Sequence, residues 1–402
     1  MSTIAPRQAP RMHFIDGLRA VAMIAVLLCH ANLYAGISHI WVHVGGHDVN
    51  LANVLQSGHL GVNLFLLLSG FCLYWPFVKG GGRAEPTLAQ YAYRRCRRIL
   101  PPYYVTLAIF GGLGLLQAVT HHQIFHRQLT IHYMEAWLAW HAVMAHNLSP
   151  AHVVALDAPL WSLALEFQLY VLFPIFVEAY RRWNKHGVLL LVLALSSLYR
   201  AAIPPAVLAV DPLNGFVLMY SVFGRCFEFA LGMYVAYVLS RWPQGEKSPL
   251  RPVDYVLGAA VIAGGIWRGH VFTDAAWGVV FAALVLAASR ASGPIGRFLS
   301  QPFLVRMGIF SYSVYLIHQP IIMGVGGKLA GHHLSNVALW AIVIGVLLPA
   351  LIGIGYVYHL LFEKPFMSTK KPNVASTTAS ETAGAKTPAV SEAETAPALN
   401  SR

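Results

Sequence analysis

The run VALWAIVIGVLLPALIGIGYVY at 337–358 carries no aspartate, glutamate, lysine or arginine. A helix needs about 20 such residues to cross the hydrocarbon core of a bilayer, and few other stable destinations exist for so long an uncharged stretch. The pattern recurs, for instance in GVLLLVLALSSLY at 187–199. Only 11% of the 402 residues are charged, against about 25% in soluble domains. The chain is therefore read as an all-α polytopic integral membrane protein. Ten transmembrane helices are expected, near 14–36, 59–78, 100–119, 160–180, 187–204, 214–240, 253–269, 272–289, 308–330 and 337–362.

The net charge of +12 then follows from topology rather than from nucleic-acid binding, because basic residues gather in cytoplasmic loops. With ten spans and a cytoplasmic N-terminus, 22 of the 28 lysines and arginines fall inside. Arg127, Arg200, Arg268 and Lys328 fall outside, and Arg19 and Arg225 lie within spans. A further crossing at 131–148, IHYMEAWLAWHAVMAHNL, would turn every later basic loop outward. That segment is short and holds His132, Glu135, His141 and His146, so it is expected to be re-entrant or interfacial. The first apolar run is too long for a cleavable signal peptide. Cys29, Cys72, Cys96 and Cys226 form no C-x-x-C pair, so neither a disulfide framework nor a metal centre is expected. His43 and His47 have a helical metal-ligand spacing, but are read as part of a polar, histidine-rich outer rim. Residues 1–366 form the membrane domain; 367–402, rich in Ala, Thr, Ser, Pro and Glu, are expected to be a disordered cytoplasmic tail.

Titratable groups inside spans are costly and mark function. Arg19 and His30 are eleven residues apart, which returns to within about 20° of one helix face and separates them by roughly 16 Å. Both are expected to face one cavity, Arg19 towards the cytoplasm and His30 in the outer half. Glu166, in PLWSLALEFQLYVLFP, lies about 9 Å below the outer end of its span and His30 about 6 Å below its own. A carboxylate beside an imidazole orients it as a general base, so His30 and Glu166 are the expected catalytic pair. Arg94, Arg95, Arg97 and Arg98 precede the third span and could clamp phosphate in forked geometry. Asn63, Ser69 and Trp161 are candidate oxyanion or substrate contacts. Arg225 and Glu228, at i and i+3, are expected to pair. His318, with Ser313 and Tyr315 in the ninth span, is a candidate second catalytic residue or a packing contact. Glu363 is read as a docking residue at the end of the tenth span.

The ordered set FIDGLRAVAMIAVLLCH, GVNLFLLLSGF, RRCRRILPPYY, PLWSLALEFQLYVLFP, GRCFEFALGM, SYSVYLIHQP and FEKPF, spanning 14–366, resembles the membrane-bound acyltransferase family 3. The resemblance implies an O-acyltransferase of the bacterial cytoplasmic membrane with both termini cytoplasmic. Acyl-CoA, commonly acetyl-CoA, would be the co-substrate, with no bound cofactor. The acceptor would be a hydroxyl on envelope polysaccharide, lipopolysaccharide or glycolipid sugar, or on a secreted small molecule such as a macrolide. The family's Arg-x10-His pair matches Arg19 and His30, its Arg-x-x-Arg motif Arg94–Arg97 and Arg95–Arg98, and its SGF motif Ser69–Phe71. Many members carry a second, extracytoplasmic domain after the last span; here only the tail follows, which favours direct transfer. The rival class is a proton-coupled transporter, in which the same buried groups would relay protons.

Overall fold

The computed structural model describes residues 12–79, 87–120, 131–155, 157–242, 250, 252–290, 293–332 and 334–367. The tail expected to be disordered lies outside them, apart from its first residue. The chain runs through α1 (His13–Tyr34), the hairpin β1 (Trp41–Val44) and β2 (His47–Asn50), α2 (Leu51–Gln56), α3 (Gly61–Lys79), α4 (Leu88–Thr120) and α5 (Ile131–Ala142). It continues through α6 (Leu160–Arg182), α7 (Lys185–Ala201), α8 (Pro205–Val210), α9 (Pro212–Met219), α10 (Val222–Ser240), α11 (Pro252–Trp267) and α12 (Gly269–Ala288). The last elements are α13 (Pro294–Leu299), α14 (Pro302–Ile309), α15 (Ser311–Ala330) and α16 (Asn336–Met367).

The protein is a helical, multi-pass membrane protein. Among the described residues, seven helices or continuous helix pairs have the length and apolarity of a full crossing, and the bent pair α14–α15 makes an eighth. Helix α7, with 17 residues, and α11, with 16, fall short, so the full-length spans number fewer than the ten expected. Large apolar side chains face outwards, among them Ile266 at 84% and Trp267 at 87% exposure. Lipid, not water, is the solvent that tolerates them.

Without a hydrophobic drive between helices in lipid, close packing depends on small residues. Helices α3 and α10 meet through two glycines. A Cβ on Gly70 would lie 2.0 Å from the Phe229 carbonyl oxygen, and one on Gly232 would lie 1.9 Å from that of Leu67. Gly232→Ala is expected to destabilise the protein by about 1–3 kcal/mol through overpacking, lowering its melting temperature in detergent. Gly353, with open space around its Cβ position, supplies the control: its alanine variant should melt like the wild type.

Three local features position the site. First, α14 and α15 are bent by 71° at Phe310, which turns Gly308, Ile309, Ser311, Tyr312 and Tyr315 towards a common chamber. Second, α5 is only 12 residues long, and the chain after it folds inward, burying His146, Asn147, Val153, Ala155 and Asp157. This inward plug is anchored by Tyr103, whose hydroxyl donates to the His141 carbonyl at 2.9 Å, and by Gln168, which donates to Asn147 Oδ1 at 2.7 Å. Third, Gly45 and Gly46 at φ 57° and 84° close a two-residue hairpin of the kind such dihedrals favour. His43 and His47 therefore lie on facing strands rather than one helix turn apart, and His43 instead meets Asp48 at 3.0 Å.

Candidate active site

The chamber is walled by α1, α3, α4, α6 and the α14–α15 bend. Its polar lining includes Arg19, Arg95, Arg98, Glu166, Ser69 and Tyr170. Three guanidinium groups face one carboxylate there, so the chamber favours an anion. The Glu166 carboxylate accepts hydrogen bonds from the Ser69 and Tyr170 hydroxyls. Arg95 Nε is buried without a partner, a donor left available to a ligand. Of the two Arg-x-x-Arg registers, Arg95 and Arg98 line the chamber, while Arg94 is exposed and Arg97 is not on its wall. One helix face carries i and i+3 together, and the twist of α4 settles which pair points in.

Phe65, Ser162 and Tyr315 also line the chamber. The Tyr315 hydroxyl is 2.6 Å from Ser162 Oγ, and its ring packs edge-on against Phe65. Behind Tyr315 sits a pair of histidines. His30 Nδ1 lies 2.8 Å from His318 Nε2, with the ring planes within 4° of each other. His318 is fully buried, and its Nδ1 lies 2.7 Å from the Tyr315 carbonyl oxygen.

These contacts assign the protons. A carbonyl only accepts, so His318 Nδ1 carries the hydrogen. In the neutral ring its Nε2 is then a lone pair, and His30 Nδ1 must donate to it. That leaves His30 Nε2 as an unprotonated nitrogen with no protein partner among the described residues. His30 is only partly buried. The arrangement is that of a general base whose tautomer is fixed by the ring behind it.

The acyltransferase domain profile matches residues 12–359. The chain belongs to acyltransferase family 3. Family relatives include the peptidoglycan O-acetyltransferase OatA of Listeria monocytogenes, 26% identical over 77% of this chain and 49% of that protein. The O-acetyltransferase OatA of Staphylococcus aureus is 24% identical over 86% of this chain and 55% of that protein. The acyltransferase MdmB of Streptomyces mycarofaciens is 26% identical over 90% of this chain and 93% of that protein. The chain thus spans about half the length of the two O-acetyltransferases. No solved structure matches it.

The structure differs from one expected pairing, the His30–Glu166 pair inferred from matched depths. His30 meets His318, and Glu166 meets Ser69 and Tyr170. Glu166 and His30 lie at different heights because α6 begins inside the protein, behind the inward plug, where Asp157 and Leu160 are buried. Tyr315 is level with Pro159 and Ser162, to which its hydroxyl bonds. His318 lies three residues beyond Tyr315 in one direction, and Glu166 four residues beyond Ser162 in the other. At 1.5 Å per residue this separates the two by about 10 Å along the helix axes. Arg19 lines the chamber and His30 is not on its wall, while Tyr315, which is, packs 5.2 Å from the His318 ring.

The remaining candidates fall elsewhere. Asn63 donates its amide to Asp274 Oδ1 at 2.9 Å. Trp161 packs against Phe216 and Tyr220. Arg225 and Glu228 pair at 3.0 Å, as their spacing implies, within a larger buried network. Asp274 holds Arg225 at 2.7 Å and Arg200 at 2.8 Å, so an arginine assigned by topology to an outer loop is in fact buried. The charges meet at hydrogen-bonding distance, although the Arg225 N–H groups are not well aimed; mutual attraction more than directional bonding holds them. Glu363 accepts from Ser313 at 2.6 Å and lies 2.8 Å from His359 Nδ1, tying α15 to α16. Sequence reasoning missed Asp157 and Tyr170 altogether. Tyr170 was within reach, being one helical turn from Glu166.

Proposed function

We propose that the protein is an O-acyltransferase that moves an acyl group, acetyl in the first instance, from cytoplasmic acyl-CoA to a hydroxyl of an envelope polysaccharide, lipopolysaccharide or glycolipid sugar. The observation that carries this reading is the free His30 Nε2, fixed by His318, immediately behind an arginine-lined chamber. The phosphates of CoA are held by Arg19, Arg95 and Arg98, and the thiol arm runs towards Tyr315. Reaching His30 requires the Tyr315 side chain to swing off Ser162. His30 Nε2 then takes the acceptor's proton as the alkoxide oxygen attacks the thioester carbonyl. The C–S bond breaks, the proton returns to the departing sulfur, and the positive charge held meanwhile on His30 is shared with His318. The reading invokes no metal or bound cofactor. It places the protein in the bacterial cytoplasmic membrane with both termini inside, in keeping with the basic loops and the arginine chamber.

The test is acetyl-CoA consumption with release of free CoA by the purified protein in nanodiscs, coupled to mass spectrometry of envelope glycans from cells with and without it. A transporter would release no CoA. Arg95→Ala and Arg98→Ala should each raise KM for acyl-CoA by about 10-fold or more, because a charge-assisted bond to phosphate is worth about 1.5–3 kcal/mol. Arg94→Ala should change it by less than about 3-fold, as expected of a surface charge. Equal effects from all three would remove the donor assignment. A secreted small-molecule acceptor such as a macrolide is the second reading, favoured by the nearly end-to-end match with MdmB. Mass spectrometry of secreted metabolites separates the two.

A further inference from the structure

Asp157 is 1% exposed, and neither carboxyl oxygen has a protein partner. Leaving such a group unpaired costs stability, and each instance in a native protein calls for an explanation. Local disorder of the segment is not one. Its backbone is tied on both sides, with Asp157 N donating to the Ala155 carbonyl at 2.7 Å and Leu160 N to that of Asp157 at 3.1 Å. The plug that carries it is anchored to α4 and α6.

Its surroundings connect it to the histidine pair. Asp157 lies two residues before Pro159, whose carbonyl accepts from the Tyr315 hydroxyl at 3.3 Å. Tyr34 is one turn beyond His30 on the same face of α1, and its hydroxyl accepts from Gln319, the residue after His318. Tyr315 packs 5.2 Å from the His318 ring. The two tyrosines therefore flank the histidines, and Asp157 belongs to the segment whose Pro159 carbonyl meets Tyr315.

We propose that Asp157 is an acceptor-binding residue that hydrogen-bonds a second hydroxyl of the acceptor, neighbouring the one acylated at His30. The substrate class is thereby a vicinal diol, as in a sugar ring, rather than an isolated alcohol. This rests on the acyltransferase reading of His30. A hydroxyl bound to a buried, otherwise unpaired carboxyl distinguishes the two classes where an apolar pocket would not.

The test uses trans-cyclohexane-1,2-diol and cyclohexanol as acceptors, with acetyl-CoA as donor and the protein in nanodiscs. Ester formation is read by mass spectrometry. The wild type should prefer the diol by about 10-fold or more in kcat/KM. Asp157→Leu, close in shape and apolar, should bring the ratio to about one, chiefly through KM for the diol, while melting no lower than the wild type. A carboxyl with a structural role would instead give a lower melting temperature. Asp157→Asn, which keeps the shape and exchanges the carboxyl for an amide, should cut the ratio by about threefold or more, and it decides the matter if the leucine variant does not fold. A wild type that acylates both alcohols equally, or variants that keep the full diol preference, would overturn the assignment of Asp157 and leave His30 standing. A wild type that acylates neither alcohol would overturn both.

Discussion

Replacing His30 with alanine is expected to reduce acyl transfer by about 10²–10⁴-fold, the usual contribution of a positioned general base. The protein should still reach the membrane, because His30 is only partly buried and its one polar partner among the described residues is His318. His318→Ala should cost less, about 10²-fold. Without the acceptor at His318 Nε2, His30 is free to carry its hydrogen on Nε2 and present no lone pair to the substrate. The double variant should be no slower than His30→Ala alone, since His318 acts only through His30. Free CoA release in the presence of an acceptor, followed for the four proteins, checks this. A His30→Ala protein that retains more than about a tenth of the wild-type rate ends the assignment of the base. Additive losses in the double variant would instead make His318 an independent catalytic residue.

The largest stability effect should come from the other polar cluster. Arg225 is fully buried, is held by Glu228 and Asp274, and lies 5.1 Å from the Tyr220 ring. With Arg200 and Asn63, the network joins α3, α7, α10 and α12. Arg225→Ala strands Glu228 as an uncompensated buried charge, and breaking one side of such a pair costs about 3–5 kcal/mol. That is a large share of the total stability of most domains, so folded protein in the membrane should fall sharply. Arg225→Met combined with Glu228→Leu removes both charges and leaves Asp274 paired with Arg200. It should recover most of the loss, because replacing a buried pair by apolar groups is often nearly neutral. Yield after detergent extraction and melting temperature are the measurements. A double variant as unstable as the single would show that the arginine's packing, and not its charge, carries the effect.

The parts of the fold legible in the sequence were those governed by local rules. Apolar length marked the helices of α1, α3, α4, α6, α10, α12 and α16, because each must satisfy its own backbone in lipid whatever its neighbours do. Spacing of three residues brought Arg225 to Glu228 and put Arg95 and Arg98 on one helix face, since helix geometry alone decides both. Short apolar stretches such as α11 read as full spans because hydropathy does not register where a helix stops. At the candidate site, His30, Arg19, Glu166, Ser69 and His318 were all singled out as residues, and the errors lay in who meets whom.

Those partners depend on axial offsets between helices distant in sequence, and no local pattern encodes an offset. A plug that buries residues before α6 lowered Glu166 to the level of Ser69, and the bend at Phe310 carried His318 to His30. Asp157 was invisible for the same reason, as an aspartate in a loop reads as solvated until the loop is found folded into the bundle. By itself, then, the sequence determined a multi-span helical protein and the chemical types its interior would hold, because periodicity and the demands of hydrocarbon act residue by residue. Only the tertiary structure decided that His30 is backed by a second imidazole and that Tyr315, on the wall of the arginine chamber, packs against that imidazole, because helix ends, kinks and inward loops set those heights jointly.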